Sequence, residues 1–180
     1  MSPETGDLAI RTPRLELVTL RASFVRALIA GDTRAAGEEL GARVGRWLAN
    51  DPSHMVQLHV AHEAGVVAGL AGTGRAIVLR TGSSAGQAIG SVGFTGPLDE
   101  RDRLEVACRI HPAHRGHGYA AEALSALLDW ATARFGITRF VVAVPSPREP
   151  WDLVPIEIGI RRAEPLDDLI DELAGLIETV

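Results

Sequence analysis

The segment His111-Pro112-Ala113-His114-Arg115-Gly116-His117-Gly118-Tyr119-Ala120 gathers the residues of this chain best suited to chemistry. Gly116 and Gly118 permit close main-chain approach and positive φ, and a helical pattern begins beside them. The first turn of a helix presents N–H groups that have no intrahelical partner, together with a partial positive charge. Such a turn receives anions, and Arg115, with His114 and His117 nearby, adds charge suited to a pyrophosphate. The plainer reading is a glycine-rich connection between strand and helix. Gly116 to Ala121 also fits the G-x-G-x-x-A dinucleotide pattern. Yet Pro112 and its neighbours separate it from the preceding strand, and no acidic residue falls about 20 positions later, where Ile137 to Phe140 lies. A nicotinamide or flavin enzyme is therefore disfavoured.

Composition removes other chemistries. All 18 basic residues are Arg, so no Schiff-base, pyridoxal-phosphate or phosphate-loop lysine exists. The formal net charge is −5 and the arginines are scattered, which does not make the basic footprint of a nucleic-acid binder. His54, His59 and His62, and separately His111, His114 and His117, lack the carboxylate or cysteine spacing that would complete a tetrahedral metal site, so no metal is expected. Cys108 is the only cysteine and falls on an apolar strand face; it reads as a core residue, and a chain without an intrachain disulfide suits a reducing, cytoplasmic setting. Met1 to Arg11 carries Glu4 and Asp7, and no apolar run approaches the roughly 18 residues of a membrane span. Neither a signal peptide nor a membrane partner is expected.

The elements that must position the glycine turn follow from periodicity. Leu104 to Ile110 alternates, with Leu104, Val106, Cys108 and Ile110 on one side and Glu105, Ala107 and Arg109 on the other, the pattern of a strand. Tyr119 to Arg134 places Leu124, Leu127, Leu128 and Ala131 at helical core spacing and stops at Gly136, and Thr138 to Val144 then reads as a buried strand. Upstream, Leu15 to Val18 predicts a first strand, Arg21 to Ala30 a helix closed by Gly31, and Asp32 to Gly69 two helices. Arg75 to Thr81 and Gln87 to Thr95 predict a hairpin. Beyond Pro150 the reading is a short distorted helix over Trp151 to Ile158, then strands at Arg161 to Leu166 and Gly175 to Val180. With no internal repeat or linker, residues 1–180 read as one mixed α/β domain with a largely antiparallel sheet.

Arg115-Gly116-His117-Gly118-Tyr119-Ala120 resembles the R/Q-x-x-G-x-G/A signature of the GCN5-related N-acetyltransferases (GNAT), where it binds the pyrophosphate of acetyl-coenzyme A. The runs IRTPRLELVTL, AIGSVGFTGPL, LEVACRIHPAHRGHGYAAEAL and LLDWATARFGITRF resemble, in order and spacing, the ribosomal-protein N-acetyltransferase-like branch of that family. The resemblance covers residues 10 to 144.

It implies a central sheet with one splayed strand pair, flanked by helices. It assigns the pyrophosphate to the amides of Gly116, His117, Gly118, Tyr119 and Ala120 beside Arg115, and the pantetheine to the strand end at Arg109, Ile110 and His111. Ile110 N–H, or its neighbour, would polarise the thioester carbonyl. Glu105 occupies a glutamate position of the branch and would act as general base for an amine that arrives as ammonium; its plainer reading is a surface residue paired with Arg103 or Arg80. The implied reaction is acetyl transfer from acetyl-coenzyme A to a primary amine in a ternary complex, the acceptor being a small molecule or a protein amino terminus and the protein a monomer or homodimer. The alternative is an acetyl-coenzyme A-binding module with little turnover. In its favour, Ser146 to Ile160 lacks the Asn and the Tyr that the family often carries there, which leaves Ser146 or water to protonate the departing thiolate. Asp99, Glu100 and Asp102, and the group from Asp167 to Glu172, read as solvated loops or as an acidic rim on the amine side.

Overall fold

Helix ends are set by local chemistry. In a computed structural model describing residues 9–50, 55–56, 59, 74–145 and 153–159, α1 (Ala22–Ile29) buries Phe24, Val25 and Leu28, and the chain then turns at Gly31 with φ 74°. For α2 (Thr33–Leu40), the Asp32 carboxylate caps the Ala35 N–H at 2.9 Å and Gly41 ends the helix in the left-handed region. A short α3 (Arg46–Asn50) follows. The longest helix among the described residues, α4 (Tyr119–Phe135), buries Ala120, Ala121, Ala123, Leu124, Leu127, Leu128 and Ala131 along one stripe and stops at Gly136, φ 70°.

The strands are β1 (Ile10–Arg11), β2 (Leu15–Thr19), β3 (Arg75–Leu79), β4 (Ala88–Phe94), β5 (Leu104–Ile110), β6 (Arg139–Pro145) and β7 (Leu153–Gly159). They form one sheet in sequence order, antiparallel throughout except for the β5–β6 pair. That exception is forced: α4 lies between the two strands in sequence, and a strand–helix–strand crossover returns the chain in parallel. α4 packs on one face against Leu15, Leu17, Ile77, Phe94, Val106 and Phe140, while α1, α2 and α3 cover Ala76, Val78 and Ala88 on the other.

This is the mixed, mostly antiparallel architecture expected, and the predicted first strand, first helix, hairpin, alternating strand, long helix and buried strand all form within a residue or two of their expected limits. One expectation is corrected. Leu153–Gly159, inside the stretch expected as a distorted helix, is strand β7, paired to β6 from Pro145↔Leu153 to Arg139↔Gly159. Pro155 argues against a helix interior but is tolerated on the outermost strand of a sheet, the place β7 takes among the described residues. The alternation Val154, Ile156, Ile158 was the strand signal. The strands expected at Arg161 to Leu166 and Gly175 to Val180 lie outside the described residues, as do Ser146, His54, His62 and the Asp167 to Glu172 group.

Candidate active site

The site begins where two strands part. β5 and β6 pair only over Leu104↔Phe140, Glu105↔Val141 and Val106↔Val142. β5 then stays with β4 as far as Gly90↔Ile110, and β6 stays with β7 as far as Pro145↔Leu153. Each strand keeps its outer neighbour and loses its inner one, which leaves a gap. Gly90 allows β4 to hold β5 this closely, since a Cβ there would lie 2.2 Å from the Arg109 carbonyl oxygen.

The ladder decides which main-chain groups face the gap. The His111 N–H donates to Ile89 O at 2.7 Å and the Thr95 N–H to Glu105 O at 3.1 Å, so odd-numbered residues of β5 turn their main chain toward β4. By the same alternation Cys108 and Ile110 turn theirs toward β6 and the gap. Of the three residues expected to meet a pantetheine, Ile110 therefore offers its N–H to the gap; its carbonyl accepts a bond from Arg115 Nε at 3.1 Å. Arg109 and His111 project their side chains on the face opposite α4.

Beyond Ile110 the chain makes a short 3₁₀ turn, Pro112–His114, stabilised by the Ala113 N–H donating to His111 Nδ1 at 3.1 Å. Gly116 and Gly118 adopt φ 72° and 74°. Gly118, which has no side chain to fold back on the first turn, is the N-cap of α4. A Cβ at Gly116 would meet nothing within 4 Å, so the main chain there is open to close approach. The first-turn amides of a long helix, two left-handed glycines and Arg115 thus converge at one end of the gap, a combination that fits a pyrophosphate.

Two of the histidines around this turn, His111 and His114, are pushed toward the neutral form. Burial, then the neighbouring His114 and Arg115, pushes the His111 imidazole below its ordinary value; burial, then His117, does the same to His114. The His111 ring meets Trp47 of α3 edge-on at 4.7 Å. His117 donates from Nδ1 to Arg115 O at 2.7 Å and stacks on Tyr119 at 5.6 Å. Among the described residues no group of three or more His, Cys, Asp and Glu is placed to hold a metal ion.

Glu105 stands exposed on the face opposite α4, one pair before the strands part. The residues expected to neutralise it are engaged elsewhere: Arg103 bonds Asp99 at 2.7 Å and Glu157, and Arg80 bonds the Thr12 carbonyl. Among the described residues the Glu105 carboxylate makes no ion pair. Across the sheet, register aligns Glu105, Val141 and Glu157 in one row on one face. Asp99 closes its own turn, accepting from the Arg101 and Arg103 N–H groups at 2.9 Å each. The Arg103 N–H bond leads in holding its carboxyl down at about 2, against the opposing effect of burial.

One part of the site escaped the sequence reading. Thr12 and Arg14, flanking the start of β2, grip the first turn of α4. Arg14 donates from its N–H to Glu122 Oε1 at 2.9 Å, from Nε to Glu122 Oε2 at 2.6 Å, and from a terminal nitrogen to His117 O at 2.8 Å. The Thr12 hydroxyl also donates to Glu122. More than 100 residues separate the partners, and no spacing rule links them.

The fold and the glycine turn define an acetyltransferase-type domain, and comparison with known proteins agrees. Residues 15–149 match the family model described as Acetyltransferase (GNAT) domain, and the chain belongs to that family. It is 35% identical over 51 residues to the uncharacterized N-acetyltransferase YjdG of Bacillus subtilis (strain 168), a match covering 28% of this chain and 30% of that relative. Among solved structures, RimL, a ribosomal L7/L12 alpha-N-protein acetyltransferase, superposes with TM-score 0.50 at 18% identity, over 78% of this chain and 73% of that one. An acetyltransferase from Agrobacterium tumefaciens str. C58 gives 0.47 at 25% identity, over 78% and 75%.

Proposed function

We propose that this protein transfers the acetyl group of acetyl-coenzyme A to a primary amine by direct attack within a ternary complex. The observation that carries the reading is the parting of β5 from β6 beside the glycine turn that starts α4. It leaves strand main chain along one side of an opening with the glycine turn at its end. Acetyl-coenzyme A supplies an activated acetyl thioester. The amides of Gly116, His117, Gly118, Tyr119 and Ala120, with Arg115, hold its pyrophosphate; Ile110 N–H, turned to the gap, donates to the pantetheine or the thioester carbonyl. Arg109 and His111 flank Ile110 at the same strand end beside the pantetheine, with their side chains on the face that carries Glu105.

Glu105 accepts a proton from the incoming ammonium, directly or through water, so that the amine can attack. Its exposure and freedom from Arg103 and Arg80 suit it to that task. The acceptor is a small-molecule amine or a protein amino terminus, the latter being what RimL is named for acting on. A single, partly buried cysteine suits a reducing, cytoplasmic setting.

Thiol release from acetyl-coenzyme A, measured over a panel of polyamines, aminoglycosides, amino-acid amides and peptides, tests this reading. Turnover with at least one amine is expected. Coenzyme A binding without turnover on any acceptor would instead establish a binding module.

A further inference from the structure

We propose that Arg14 is a positioning residue that orients the pyrophosphate-binding amides from behind the loop, an inference that rests on the reading of that loop given above. A trans peptide points its C=O and the next N–H in opposite directions. The bond from Arg14 to the His117 carbonyl therefore turns the Gly118 N–H to the opposite side of the loop. Gly116 and Gly118, both at positive φ, let the intervening peptides rotate at little steric cost.

Arg14 is itself held on several sides. Its Nε meets Glu122 Oε2 at 2.6 Å and its guanidinium lies 4.7 Å from the centre of the Tyr119 ring. Glu122 is fixed in turn by the Arg14 main chain and by Thr12. Burial works against ionisation of this carboxyl, but the bonds from Thr12 and Arg14 outweigh it and hold the group below its ordinary value, so it is a carboxylate at neutral pH. A bare carboxylate at the first turn of α4 would repel a diphosphate, and the Arg14 guanidinium offsets it. One side chain thus fixes the loop peptide and balances the acid beside it.

The test compares two ligands that differ in the group the loop is read to hold. Coenzyme A carries the pyrophosphate and pantetheine lacks it. In Arg14→Met the dissociation constant for coenzyme A, by calorimetry, is expected to rise roughly tenfold to a hundredfold, the range of one or two lost charge-assisted bonds. The constant for pantetheine, by NMR titration, is expected to stay within about twofold of wild type. Arg14→Lys keeps the charge but cannot span Glu122 and His117 with a planar fork, so an intermediate loss is expected; it also carries the comparison should the Met variant not fold. Equal coenzyme A affinity in both variants and wild type, or equal losses for both ligands, overturns the clamp. A wild-type protein that binds pantetheine as tightly as coenzyme A, or binds neither, overturns the reading of the loop itself.

Discussion

The two halves of the candidate site are built from different materials. At the glycine turn the groups that would meet a ligand are main-chain amides, set by helix geometry, two left-handed glycines and a clamp from the bend between β1 and β2. On the face that carries Glu105 they are side chains, brought into a row by the register of β5, β6 and β7. The charge follows the same division. His111 and His114 of the turn are pushed toward neutrality, so the amides and Arg115 would be the groups to attract an anion there. The β5–β7 face displays Glu105 and Glu157, with Arg103 tying the latter to Asp99. A main-chain site tolerates most side-chain changes and fails when a glycine is replaced, whereas a side-chain site fails one residue at a time.

The substitution expected to do most is Gly118→Val. Its φ of 74° strains a β-branched residue, and Arg14 already stands 3.5 Å from where the Cβ would sit. Coenzyme A affinity should fall by about 10²-fold or more while the circular dichroism spectrum persists, since helix formation in α4 depends mainly on its buried stripe. Retained affinity would mean that the turn is only a connection, and the contrast between the two halves would disappear.

Next is Glu105→Gln, which keeps shape and removes basicity. We expect kcat to drop by roughly 10²-fold at neutral pH, with coenzyme A affinity unchanged, and the deficit to shrink as pH rises and free amine accumulates. An unaltered rate would return Glu105 to the role of a surface strand residue.

The smallest effect belongs to Asp99→Asn. The amide can still accept from the two N–H groups of the turn but loses the ion pair to Arg103. The Asp99 carboxyl is lowered in the folded protein, so its contribution to stability is complete above the ordinary value of 3.8 and lost as pH falls through about 2. The difference in urea midpoint between wild type and variant should be constant above about pH 5, shrink as pH falls, and vanish only below about pH 2. A difference that survives at the acid end would show that the turn depends on geometry and not on charge.

Much of this was legible before any coordinates. The alternation from Leu104 to Ile110, the helical stripe closed by Gly136 and the Gly116–Gly118 pair are local patterns, set by the two-residue period of a strand, the 3.6-residue period of a helix and the steric freedom of glycine. Leu153–Gly159 is a strand and not the distorted helix expected; Val154, Ile156 and Ile158 alternate, and Pro155 is tolerated on what is the outermost strand among the described residues. That Glu105 escapes Arg103 was also hidden, since Arg103 found Asp99 in its own turn and Glu157 on another strand.

By itself, then, the sequence determined the order and type of most of the main elements, the glycine turn and the family resemblance, because each rests on residues close together in the chain. Tertiary structure alone decided that β5 and β6 part after Val106, that Ile110 and not its neighbours turns its N–H to the gap, and that Thr12, Arg14 and Glu122 meet behind the turn. Those outcomes depend on strand register and on contacts between segments more than 100 residues apart, for which a linear pattern carries no period to read.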